Sequence, residues 1–162
     1  MNEEKLIQRD RMRFVKNSLS STLCYLGILF NVFYFVLLYQ SDVGTYYYTI
    51  QIGASIVYNL LFLLIVFLAS EGVKSYQKGY SYILIGAGVM QIVRIFVIPA
   101  AAHAARIVVD GAEVAVMQNS QYTLSLVYLI ISAVCLITSA IVNIIKCSAL
   151  EAHNKYLEAQ NA

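Results

Sequence analysis

One arginine, Arg94, falls inside a stretch otherwise apolar enough to cross a bilayer, and Gln91 precedes it by three residues. Residues three apart share a helix face, so a guanidinium and a carboxamide stand side by side. Two such donors could hold an anion or a lipid headgroup, or contact a buried group of a partner protein. Alternatively, Arg94 reaches the outer headgroups along its aliphatic stem and pairs with Asp42, Asp110 or Glu113. Three amides lie in other apolar stretches: Asn31, Asn59 and Asn143. Away from water such groups bind one another or a ligand. Asn31 and Asn59 fall at similar depth in neighbouring stretches, which predicts a direct amide pair fixing helix register.

The absent residues narrow the chemistry as much. No Asp or Glu lies inside any of the apolar stretches, so the driving-ion site of a proton- or cation-coupled exporter is missing. His103 and His153 fall in segments expected on opposite sides of a membrane and cannot share a metal. No His-x-x-x-His, paired aspartates or Gly-x-Ser-x-Gly occurs, so neither a metallohydrolase nor a serine hydrolase is indicated. The sequence implies no cofactor and no metal.

The elements that must position these residues are four apolar stretches, roughly 19–39, 50–69, 80–99 and 124–145. About 20 helical residues span about 30 Å of hydrocarbon, and a spanning backbone must satisfy its own hydrogen bonds. With 60% hydrophobic and 12% charged residues, the expected fold is an all-α integral membrane protein, a four-helix transmembrane bundle. Residues 1–18 read as a basic arm, 19–145 as the membrane domain and 146–162 as a tail. The first stretch runs into Tyr39-Gln40-Ser41-Asp42 without a small-residue cleavage site, so it reads as a retained helix rather than a signal peptide. Short links at 40–49 and 70–79 predict antiparallel neighbours. Gly53, Ala54, Gly86 and Gly88 are candidates for close helix approach.

Charge sets the orientation. Lys5, Arg9, Arg11, Arg13, Lys16, Lys74, Lys78, Lys146 and Lys155 would share one side, against Arg106 alone on the other. By the positive-inside rule both termini are cytoplasmic. Cys24, Cys135 and Cys147 then avoid the oxidising side, so no structural disulfide is expected, nor the outer-face cysteine pairs of a quinone-linked thiol oxidase. Tyr39, Tyr46, Tyr47 and Tyr48 read as interfacial anchors.

The outer connection, 100–123, has the most local character. Pro99 should stop or kink the third helix. Beyond it, Arg106-Ile107-Val108-Val109 and Ala112-Glu113-Val114-Ala115 flank Asp110-Gly111, the signature of a β-hairpin with a type I′ turn. The competing reading is a surface helix broken at Gly111. An isolated hairpin is marginal, so Asp110, Gly111 and Glu113 are candidate contacts to the bundle mouth or to a partner.

A net charge of +2 without a basic, aromatic-lined face excludes nucleic acid as a partner. The chain, which has no tryptophan, lacks the loop motif of claudins, and it lacks the double-cysteine signature of tetraspanins. No inverted repeat frames a midplane site, as secondary transporters require. Two expectations follow. The first is a non-catalytic accessory, assembly or regulatory subunit of a larger membrane complex, plausibly a transporter, in a bacterial inner membrane. The second is a small self-associating pore or carrier for a small solute or anion, lined by Asn31, Asn59, Gln91 and Arg94. Its partners are membrane lipids and either other integral membrane subunits or further copies of itself.

Overall fold

The computed structural model describes residues 16–39 and 46–161. The basic arm before Lys16 and Asp42 in the first connection lie outside the described residues. Four long helices, α1 (Ser18–Tyr39), α2 (Tyr46–Lys74), α3 (Lys78–Val97) and α5 (Asn119–Asn161), are joined by a short helix α4 (Pro99–Ala104) and strands β1 (Arg106–Val109) and β2 (Ala112–Ala115). Each of the four is long and apolar enough to cross a membrane. They pack in a ring, α1–α2–α3–α5, closest between α1 and α5 and loosest between α2 and α3.

Buried positions recur every three or four residues. On α1 the repeat is Ser20, Cys24, Gly27, Asn31, Tyr34 and Leu38, with Ser21 buried beside it; on α2 it is Ser55, Asn59, Phe62, Val66, Ala69 and Val73, with Ser70 and Gly72 buried beside it. A repeat of 3.5 is the seam of a left-handed bundle. Close approach depends on two glycines facing α5. A Cβ on Gly27 would lie 2.9 Å from the Leu136 side chain, and one on Gly88 would lie 2.7 Å from Ile137. Gly53 and Gly86, also expected to admit a neighbour, face open space instead.

Two helices run further than their apolar stretches. α2 continues through Ser70-Glu71-Gly72, expected to be a turn, with Glu71 and Lys74 paired at 3.0 Å across one turn of helix. It ends where Gln77 N donates to Gly72 O and Tyr76 N to Val73 O, with Tyr76 at φ 58°. That is a Schellman stop, with tyrosine where glycine is usual. α5 does not end near residue 145; the expected tail is its continuation, since no glycine or proline interrupts 119–161. Its 43 residues extend about 65 Å. Burial ends at Cys147, and from Ser148 to Ala159 every residue is exposed or half-buried.

Pro99 interrupts the chain as expected. α3 stops at Val97, Ile98 stays in the right-handed region but with φ widened to −110° (ψ −63°), and Pro99 opens α4 at a position where its missing N–H costs nothing. The hairpin forms in the expected register, with Val109 opposite Ala112 and Arg106 opposite Ala115. Asp110 (φ 53°) and Gly111 (φ 82°) both adopt the left-handed conformations of a type I′ turn. The hairpin is rooted by Val116 and Met117, buried with Ala102, Leu38 and Leu129, and by Val116 N donating to Ala105 O. Its tip stands free of the bundle, with Val108 71% exposed.

Candidate functional site

Four helices contribute to one buried polar knot. α1 supplies Asn31 and Tyr34, α2 supplies Ser55, Tyr58 and Asn59, α3 supplies Gln91 and Arg94, and α5 supplies Ser132. Asn31 Nδ2 donates to Asn59 Oδ1 at 3.1 Å, the expected amide pair. Asn59 Nδ2 donates to the Ser55 carbonyl on its own helix at 2.8 Å, which turns its oxygen toward α3. Arg94 Nη1 donates to Asn59 Oδ1 (2.9 Å) and Asn31 Oδ1 (3.2 Å), and Nη2 donates to Ser55 Oγ (2.8 Å). The guanidinium carbon lies 4.4 Å from the Tyr34 ring centre and 4.8 Å from that of Tyr58. Aromatic faces attract a cation at this range.

Arg94 therefore does not extend to the surface, and neither Asp110 nor Glu113 pairs with it. It is only 5% exposed. The physical reason is local: three oxygen acceptors and two ring faces replace the water that an outward rotamer would keep. Gln91 is not a spare donor either. Its Nε2 is taken by Asn31 Oδ1 at 2.8 Å and Ser132 Oγ at 3.3 Å, and Ser132 Oγ donates to Gly27 O at 2.8 Å. Among the described residues, Arg94 Nε, Gln91 Oε1 and the Tyr34 hydroxyl have no hydrogen-bond partner. No described carboxylate pairs with Arg94; the ion pairs found are Lys74–Glu71 and Lys78–Glu151.

Apolar layers close the knot along the bundle axis. Toward the α2–α3 turn lie Phe62, Val66, Leu84 and Leu136. Toward the hairpin lie Leu38, Ile95, Met117 and Leu129.

Asn143 belongs to a second, separate knot beside the α2–α3 turn. Its Oδ1 accepts from Asn17 Nδ2 at 2.9 Å, and its Nδ2 donates to Ser81 Oγ (2.8 Å) and Gln77 O (3.3 Å). Ser20 Oγ donates to Ser139 O at 2.9 Å while Ser139 Oγ donates to Ser20 O at 2.7 Å, a reciprocal clasp between α1 and α5. Cys24 Sγ lies 3.1 Å from Ser139 Oγ. All three cysteines are free thiols.

Sequence reasoning singled out the amides and Arg94 but missed Tyr34, Ser55, Tyr58 and Ser132, which complete the knot. The recoverable signal was the 3.5-residue spacing itself, which puts Ser55 with Asn59 and Tyr34 with Asn31 on one seam. The candidate contacts Asp110, Gly111 and Glu113 sit together at the exposed hairpin tip, apart from the buried knot. Among the described residues no three His, Cys, Asp or Glu side chains gather as metal ligands. Chemically, the central knot can hold helices in register and neutralise one negative charge; it contains no nucleophile–base pair. Comparison of the chain with known protein families, with curated proteins and with solved structures gives no match.

Proposed function

We propose that the chain is a non-catalytic integral membrane protein serving as an accessory, assembly or regulatory subunit of a larger membrane complex, for example a transporter. In this reading it crosses a bacterial inner membrane four times, with both termini cytoplasmic and the hairpin outside. Lys74, Lys78 and Lys146 mark the end near the α2–α3 turn, whereas the hairpin carries Arg106 with Asp110 and Glu113, the asymmetry that orients membrane helices. The observation that carries the subunit role is the overhang of α5. Past Cys147 the helix continues beyond the bundle, presenting Tyr156 and Leu157 to the surface at 61% and 42% exposure. A rigid, partly apolar helix of this kind suits docking by another helix or groove.

The pore alternative has less support. Asn31, Asn59, Gln91 and Arg94 spend their hydrogen bonds on one another and lie between apolar layers. The described residues therefore offer no polar route along the axis.

The test is a mild-detergent purification of the natively expressed chain, tagged at its N-terminus, with mass spectrometry of what it retains. The expected result is a stoichiometric set of other membrane subunits, lost when the chain is cut after Cys147. Recovery of a homogeneous oligomer of this chain alone would overturn the subunit role and favour the pore.

A further inference from the structure

The hairpin carries backbone hydrogen-bonding groups that its own two strands do not use. In an antiparallel pair, opposite residues alternate between bonding each other and turning their N–H and C=O away. Val116 N donates to Ala105 O at 3.2 Å, which fixes the phase. Ala105–Val116, Ile107–Val114 and Val109–Ala112 are then the bonding pairs. Arg106 and Val108 on β1, with Glu113 and Ala115 on β2, turn their backbone groups outward. Among the described residues no backbone bond reaches these four from outside the hairpin. Such an edge is a template for another strand.

The two edges are not equivalent. β2 lies against α4, whereas β1 has no comparable neighbour besides β2. Two copies of β2 paired about Glu113 would set two carboxylates side by side, which is unfavourable. β1 is self-complementary instead. With Val108 opposite Val108 of an antiparallel second copy, Arg106 of each falls opposite Asp110 of the other, both lying two residues from the centre. Among the described residues neither Arg106 nor Asp110 has an ion-pair partner within its own chain.

The sheet is also turned correctly for two copies in one membrane. Ile107 packs on the apolar layer at the hairpin end of the bundle. Val108, on the opposite face, is turned to solvent. The sheet normal therefore runs roughly along the bundle axis. A two-fold axis normal to the sheet relates such antiparallel strands, and copies inserted with the same topology need theirs along the membrane normal.

We propose that β1 is the pairing edge of a symmetric dimer, in which two hairpins form one four-stranded antiparallel sheet over the outer ends of two bundles. The dimer rests on the membrane placement argued above and is independent of the subunit role. A strand of four residues buries well below the ~1,000 Å² of a stable complex. The sheet therefore forms where a bilayer aligns and concentrates the copies.

The test cross-links Val108→Cys with a short bifunctional thiol reagent in membranes of cells producing the full chain, with the unsubstituted chain as control. Val108 positions would lie about 5.5 Å apart across the two-fold, and Glu113 positions about 14 Å apart, three strand spacings. Val108→Cys should give a band at twice the chain's mass, and Glu113→Cys should stay monomeric. Arg106→Glu, added to Val108→Cys, sets a carboxylate against Asp110 of the other copy and should lower the yield about fivefold. Adding Asp110→Asn, which suits the same turn, should recover most of it. Absence of the Val108→Cys dimer overturns the proposal. Equal cross-linking of Glu113→Cys marks chance collision and also overturns it, as does a yield indifferent to Arg106→Glu. An adduct with a different protein puts a partner's strand on the edge and overturns the second copy. If an impermeant maleimide fails to reach Val108→Cys in intact cells, the membrane placement falls and the dimer with it.

Discussion

Arg94 on α3 and Asn59 on α2 meet at 2.9 Å, and the Asn59 oxygen that accepts this bond also accepts from Asn31 at 3.1 Å. One carboxamide oxygen thus joins three helices, held in orientation by its own nitrogen's bond to the Ser55 carbonyl. Asn59→Leu removes that junction and leaves Arg94 short of an acceptor. We expect a loss of about 1.5–3 kcal/mol, the range for bonds to charged groups, read by reversible unfolding in detergent. Replacing both partners, Asn59→Leu with Arg94→Met, should recover part of the loss, because a buried charge suffers more from a missing partner than from its own removal.

Arg94→Lys keeps the charge and should still destabilise the bundle. A lysine offers one ammonium where the guanidinium fork reaches Asn59, Asn31 and Ser55 from two nitrogens and lies between two rings. The expected loss is about 1–3 kcal/mol. A lysine variant as stable as the parent would show that charge alone matters at this position.

Gly86 and Gly88 lie two residues apart on α3 and should respond oppositely to alanine. At Gly88 a methyl group meets Ile137 at 2.7 Å and the Ala133 carbonyl at 3.3 Å, so Gly88→Ala should lower stability by about 1–3 kcal/mol through overpacking. At Gly86 nothing lies within 4 Å. Gly86→Ala should be neutral or raise stability by up to about 1 kcal/mol through helix propensity. Parallel thermal melts of the two variants decide the matter.

Gly111→Val should fray the hairpin and leave the bundle intact. A β-branched residue is strained at φ 82°, by about 1–2 kcal/mol, and few contacts beyond the hairpin root hold the turn. Faster amide exchange at β1 and β2, with an unchanged melt of the helices, is the expected signature.

Length and apolar content made the four helices legible, and Asp110-Gly111 between β-branched runs made the hairpin legible. The inward faces were harder to read. On α2 the exposed residues include Leu60, Leu61 and Leu64 while Phe62 and Val66 are buried, so no polar face marks the outside. Arg94 was legible as an anomaly but not in its direction. The partners that draw it inward come from two other helices, and Tyr34 and Tyr58 look like any aromatic residue in an apolar run. The full length of α5 was hidden for another reason. Apolar content stops near residue 145, yet Ala149, Leu150, Glu151 and Lys155 remain good helix formers.

The chain order of the central knot has a consequence for biosynthesis. Translation delivers α1 and α2 before α3, so in the proposed membrane placement Asn31, Ser55 and Asn59 enter the bilayer before the segment bearing Arg94 emerges. Arginine at the middle of a lone inserting helix costs about 2.5–3.5 kcal/mol. In that placement the acceptors of Arg94, all on the first two helices, precede it in the chain and would offset that cost as the third helix enters. The last helix then closes over them, with Leu136 against Gly27 and Ile137 against Gly88, so a chain stalled before residue 119 would hold its arginine in place but leave that flank open to lipid.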